Sequence, residues 1–159
     1  MHEFIKKCFT EENLLSTALT ELEVQELAAD WYRKLDVHVP MVDILPLLAQ
    51  ESLQMKFPES TLTSLAEFEG WYQKVIRIFF DEVHTLKEVS VKLNGDNADV
   101  HVVVEWQASV WNAPAAKSAR IVLDADQTWI VKRSEKTGKA VIETYIVNAL
   151  SYHENSAKL

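Results

Sequence analysis

The sequence predicts an α+β fold, with a short helical layer packed on a single curved, mostly antiparallel sheet. Apolar residues recur at helical spacing up to Phe80 and alternate two by two from Thr85 to Leu150. The alternating half is divided by Asn94-Gly95-Asp96 and Lys136-Thr137-Gly138, so it reads as strands joined by tight turns. A helical layer followed by such strands describes a cone, and a cone encloses a pocket.

Thr20-Glu21-Leu22-Glu23 is a capping box. The helix it opens carries Val24, Leu27, Ala28, Trp31 and Leu35 on one face. Asp36 to Val39 breaks that helix, and Pro40 suits the start of a second, shorter one carrying Val42, Leu45, Leu48 and Ala49, with Pro46 to kink or shorten it. Leu53 to Phe57 alternates and stops at Pro58, which reads as a short edge strand. Ser64-Leu65-Ala66-Glu67 is a second capping box, followed by a helix with Leu65, Phe68, Tyr72, Val75, Ile76 and Phe79 in one stripe and Trp71 beside it. Four long strands follow: Lys87–Leu93, Ala98–Trp111, Ser118–Arg133 with a bulge expected at Asp124–Gln127, and Ala140–Leu150.

The length of 159 residues suits one domain, with 1–19 as an N-terminal extension able to hold a short helix, 20–153 as the domain and 154–159 as a flexible polar tail. Thr10-Glu11-Glu12 is a candidate cap for that first short helix, with Leu14, Leu15, Ala18 and Leu19 as its apolar face. Acidic residues outnumber basic ones 24 to 16, for a net charge of −8, which disfavours nucleic acid as a partner. No apolar run approaches the roughly 20 residues that span a bilayer. The first residues lack the apolar core of a secretory signal. Cys8 is the one cysteine and can form no intramolecular disulfide, which suits a cytoplasmic location.

The segments Leu47-Leu48-Ala49 with Met55-Lys56-Phe57-Pro58-Glu59, Phe68-Glu69-Gly70-Trp71-Tyr72 and Gln127-Thr128-Trp129-Ile130-Val131 resemble the short strand, third helix and penultimate strand of SnoaL-like proteins. The resemblance runs from Glu21 to Tyr152 and is to the nuclear transport factor two-like superfamily, which includes ketosteroid isomerase, scytalone dehydratase and limonene epoxide hydrolase. It implies a cystatin-like cone of three N-terminal helices on a strongly curved sheet. It also implies an apolar cavity with a few polar groups at its base, and a homodimer formed through the sheet's outer face. In ketosteroid isomerase the general base is an Asp just before a Pro, whereas here Phe57 precedes Pro58, which counts against that isomerase's chemistry.

Each chemically competent residue has two readings. His38, in Asp36-Val37-His38-Val39-Pro40, is either a general base oriented by Asp36 or Asp43 or a cap for the second helix. His84 is either an acid/base group paired with Asp81 or a cation stabilised at a helix C-terminus. Asp124, with Asp126 beside it, is either the cavity's buried acid or part of a bulge. Trp31, Tyr32, Trp71, Trp106, Trp129 and Tyr145 are either cavity lining or core, with Tyr32 or Tyr145 as a donor to a developing oxyanion. On the alternation of the second long strand, Val100, Val102, Val104, Trp106 and Ala108 face the helices and His101, Val103, Glu105 and Gln107 face away. No HxH, HxxxH or CxxC spacing suggests a metal, and three glycines are too few for a phosphate-binding loop.

The expected function is binding of a small apolar organic molecule, with isomerase, dehydratase or cyclase chemistry that uses side chains alone and no cofactor. The alternative is a non-catalytic homodimeric association module working through the outer face of the sheet, where Val103 and Trp111 lie among polar residues.

Overall fold

The computed structural model describes residues 18–159. Cys8 and the candidate first turn with its Leu14 and Leu15 lie outside the described residues. Helix α1 spans Glu21–Asp36 and buries Tyr32 together with the five residues of the expected stripe. Its cap forms as the sequence predicts, the Thr20 hydroxyl accepting the Glu23 N–H at 3.1 Å. Helix α2 is a single turn, Met41–Ile44, that tightens into a 3₁₀ turn over Leu45–Leu47. Pro46 has no N–H to continue the α-helical ladder, which accounts for the early stop. Helix α3, Leu65–Ile78, starts where the Ser64 hydroxyl accepts the Glu67 N–H, and it buries only Phe68 and Tyr72.

The strands are β1 Gln54–Lys56, β2 Thr61–Leu62, β3 Phe79–Asn94, β4 Asn97–Val110, β5 Ala119–Arg133 and β6 Ala140–Tyr152. They form one mixed sheet in the order β2-β1-β6-β5-β4-β3. β1 runs parallel to β6, with Met55 opposite Tyr145, and every other pairing is antiparallel. β1 is therefore an interior strand rather than the expected edge, because the unforeseen two-residue β2 covers its free side.

Two registers differ from the sequence expectation. β3 begins at Phe79, directly after α3, so Phe79–His84 is strand and not a connection. The irregularity expected in β5 sits in its partner: Asp126 pairs with Ala149 and Gln127 with Val147, leaving Asn148 as an extra residue in β6, and Ile130 pairs with Thr144 and Val131 with Ile142, leaving Glu143 as a second. β5 itself pairs with β4 without interruption from Asn97↔Lys132 to Val110↔Ala119.

The expected alternation of β4 holds, with Val100, Val102 and Val104 buried toward the helices. In β5, Ile121, Leu123, Ala125, Gln127, Trp129 and Val131 share the inner face. The residues after His153, expected to be loose, run back along β5: His153 N–H donates to Val122 O at 2.9 Å and Ala157 N–H to Arg120 O at 2.9 Å. No helix among the described residues is long and apolar enough to cross a membrane.

Candidate active site

Helix α1 packs its whole apolar stripe, whereas α3 does not, because α3 roofs an open space. Between α3, the β1–β2 turn and the inner faces of β3 to β6 lies a cavity of about 650 Å³. Its wall is mostly apolar, with Leu35, Phe79, Val104, Trp106, Leu123 and Val147 among its residues; Glu82, His84, Gln127 and Tyr145 are polar groups on the sheet side, and Glu59, Glu67 and Lys74 also line it. At one side Phe57 and Trp71 stack with centroids 4.1 Å apart, and the Trp71 indole N–H donates to Glu59 Oε1 at 3.1 Å.

A β-bulge decides which side chains of β3 face this space. Phe80 pairs with Ser109 but Val83 pairs with Gln107, so β3 carries one residue more than β4 here. Asp81 absorbs the mismatch at φ 55°, a left-handed conformation open to Asp at modest cost. The bulge resets the alternation, so that Phe79, Glu82 and His84 all line the cavity while Phe80 and Val83 are left exposed.

His84 is held on three sides. Its Nδ1–H donates to Asp36 Oδ1 at 2.6 Å, and its backbone N–H donates to Asp36 Oδ2 at 3.1 Å. Tyr32 stacks on the ring at a centroid distance of 4.7 Å. With Nδ1 protonated against the carboxylate, the neutral imidazole carries its lone pair on Nε2. The result is an oriented imidazole in the cavity wall with one nitrogen committed to a carboxylate.

A second carboxylate–imidazole pair lies next to the first. His38 Nε2–H donates to Glu82 Oε2, and Trp106 Nε1–H donates to Glu82 Oε1 at 2.9 Å. The two pairs are reciprocal. The end of α1 supplies the acid Asp36 and then the imidazole His38, while β3 supplies the imidazole His84 and then the acid Glu82.

The inner polar group on β5 is Gln127, buried at 4% exposure. Its Oε1 accepts Tyr32 Oη–H at 2.7 Å and Trp129 Nε1–H at 2.9 Å. An indole N–H can only donate, so the amide oxygen must face Trp129, and the amide NH₂ remains a donor for a cavity occupant. Burial raises the Tyr32 hydroxyl well above its ordinary value, and raises that of Tyr145 as well. Tyr72 is pushed up to about 12 by burial and then by the charge of Glu82. All three phenols therefore keep their protons near neutral pH.

The sequence candidates are sorted accordingly. His84 lines the cavity, but its partner is Asp36, 48 positions away in sequence, and not Asp81. His38 is held at Nε2 by Glu82 and, unlike His84, is not among the residues that line the cavity. Trp71, Trp106 and Tyr145 are cavity lining; Trp31, Tyr32 and Trp129 are buried core. Asp124 is not the cavity's acid. It pairs with Glu105 on the outer face of the sheet, where it accepts from Lys87 at 3.0 Å and from His153 at 3.0 Å, because the parity of an uninterrupted β5 turns it away from Leu123 and Ala125. Glu105, Asp124 and His153 form an outer cluster of metal-ligand type, with Lys87 already supplying a cation to it. Glu82 and Gln127, singled out in neither role, become cavity groups only through the bulge and the strand parity.

No family model matches the chain, and no curated protein matches it in sequence. Solved structures do match it. One is a hexachlorocyclohexane dehydrochlorinase, LinA-type3, from Novosphingobium barchaimii, with 11% identity, TM-score 0.68 and coverage of 87% of this chain and 92% of that one. Another is a protein of unknown function with a cystatin-like fold from Nostoc punctiforme, with 17% identity, TM-score 0.66 and coverage of 89% and 99%. A third is a nuclear transport factor two-like superfamily protein from Salmonella enterica, with 11% identity, TM-score 0.66 and coverage of 86% and 91%. With its element order, its mixed sheet and its roofed cavity, the chain has the cystatin-like, nuclear transport factor two-like fold.

Proposed function

We propose that this protein is an acid/base enzyme that removes a proton from carbon in a largely apolar organic molecule, as in an elimination or isomerisation, using side chains alone. The observation that carries the reading is the Asp36–His84 pair, 2.6 Å from Oδ1 to Nδ1, in the wall of a cavity large enough for such a molecule. His84 Nε2 takes the proton, Asp36 stabilises the imidazolium that forms, and the Gln127 amide NH₂ donates to the charge that develops on the substrate. That fold relatives include a dehydrochlorinase supports proton abstraction in this architecture.

A probe that demands only a base in an apolar pocket tests this. In 5-nitrobenzisoxazole, loss of the ring C–H proton drives its electron pair into a new C≡N bond and breaks the N–O bond, releasing a coloured phenolate. The wild-type protein should turn it over with saturation, and His84→Gln should lower kcat/KM by about a hundredfold or more. Equal rates in the two proteins would overturn the assignment of His84 as base.

A second reading, the association module, is favoured by one observation. Phe80, Val83 and Trp111 are 44%, 45% and 57% exposed, at the end of the sheet where β3 begins and β4 finishes. If that patch joins two copies, Val83→Arg should convert a dimer to a monomer in sedimentation experiments; a dimer that persists rules out an interface centred there.

A further inference from the structure

Glu82 has no place in the proton transfer just described, yet the fold goes to some length to put it in the cavity. A bulge with a non-glycine residue at positive φ turns it inward, and the side chain is only about 10% exposed. Each oxygen already has one donor, Trp106 on Oε1 and His38 on Oε2. A carboxylate has about four acceptor sites, so about two remain beyond the protein's own donors. No Lys or Arg pairs with it among the described residues, and among the described cavity-lining residues Lys74, on α3, is the one Lys or Arg. A carboxylate against an apolar wall is costly to keep unless its remaining sites are used.

We infer that Glu82 is the specificity-determining residue of the cavity: it accepts a hydrogen bond from a hydroxyl group on the ligand, which makes the substrate class neutral, mainly apolar, hydroxyl-bearing molecules and excludes carboxylic acids. Glu82 and His84 stand two residues apart on the same face of β3, about 6–7 Å along the strand. A hydroxyl held by Glu82 thus places a carbon a few bonds away beside His84 Nε2. Gln127 offers a donor to a second polar group, such as a carbonyl, while an anionic group would meet the negative field of Glu82 and Asp36. This rests on the reading of the cavity as the substrate site, but its test is separate from the test of the base.

Calorimetric titration with two probes of one skeleton decides it. Wild-type protein should bind 2-naphthol at least about tenfold more tightly than 2-naphthoate, a difference of about 1.4 kcal/mol. Glu82→Gln keeps the side-chain volume and an oxygen for Trp106, and should bring the two affinities to within about threefold of each other. His84→Gln should keep the wild-type ranking. If wild type binds both probes alike, or the ranking survives in Glu82→Gln, the proposal is overturned. Should the Gln variant not fold, Glu82→Asp retains the charge and must retain the discrimination; its loss there would be equally decisive. Discrimination controlled by Glu82 together with unchanged 5-nitrobenzisoxazole turnover in His84→Gln would sink the base while leaving the recognition carboxylate in place.

Discussion

Asp36 ends α1, where the helix macrodipole favours a cation and an aspartate is unfavourable. The mismatch is offset by local contacts: both carboxylate oxygens are spent on His84, one on the ring and one on the backbone. This makes Asp36→Asn a sharp probe. The asparagine oxygen would keep the backbone N–H, leaving its NH₂ against Nδ1, which must then accept. The proton would move to Nε2, and the imidazole would no longer be a base toward the cavity. We expect kcat for 5-nitrobenzisoxazole to fall by about 10²–10⁴ with KM little changed; a fall in KM and kcat together, or no change, would argue against tautomer control. Single residues of this site were legible only as types. The motifs Asp36-x-His38 and Glu82-x-His84 are visible in the sequence, but each invites pairing within its own segment, whereas the structure pairs them crosswise.

Among the elements, the helices and the long strands follow local rules, and the bulge in β3 does not. The caps Thr20 and Ser64 form where their spacing with Glu23 and Glu67 says they should. The bulge at Asp81 has no turn dipeptide or glycine to announce it, and it decides the parity of Phe79, Glu82 and His84. At φ 55° the position tolerates Gly best and a β-branched residue worst. Asp81→Gly should leave stability near or slightly above wild type, while Asp81→Val should lower it by about 1–2 kcal/mol in urea unfolding. If Asp81→Val is as stable as wild type, the left-handed conformation is not what holds the bulge.

At the scale of the whole molecule, the sheet has an apolar inner face around the cavity and a charged outer face, and the outer face sets a pH response. His101 is raised above its ordinary value by its hydrogen bond to Asp126 and by Glu88. Asp126 is lowered by hydrogen bonds from Asn148 and His101. In Asp124, partial burial pushes upward but is outweighed by hydrogen bonds from His153 and Lys87, so its value also falls. A raised histidine contributes stability that is complete below the unfolded value of about 6.5 and is lost as pH rises through the folded one. Lowered aspartates contribute stability that is present above about 3.9 and lost as pH falls through their folded values. The contribution of this face should therefore be greatest between about pH 4 and 6.5. His101→Ala should flatten the alkaline side of a plot of urea midpoint against pH, and an unaltered slope would show that the His101 pair contributes nothing. These groups are largely exposed, so the effect is small and should shrink with added salt.

Period, caps and turns sufficed to determine from the sequence that this chain is a helical layer on a sheet of long strands, because those are local properties of consecutive residues. They also named His84 as a candidate and set the inward face of β4. What only the tertiary structure decided is which distant groups meet: Asp36 with His84, His38 with Glu82, Gln127 between Tyr32 and Trp129, and Asp124 on the far side of the sheet. The physical reason is that strand parity is a two-state variable. One extra residue in β3, or its absence from β5, exchanges cavity and solvent for the side chains beyond it, in β3 as far as a second bulge at Lys87, and that residue is placed by the pairing of strands rather than by its neighbours in sequence.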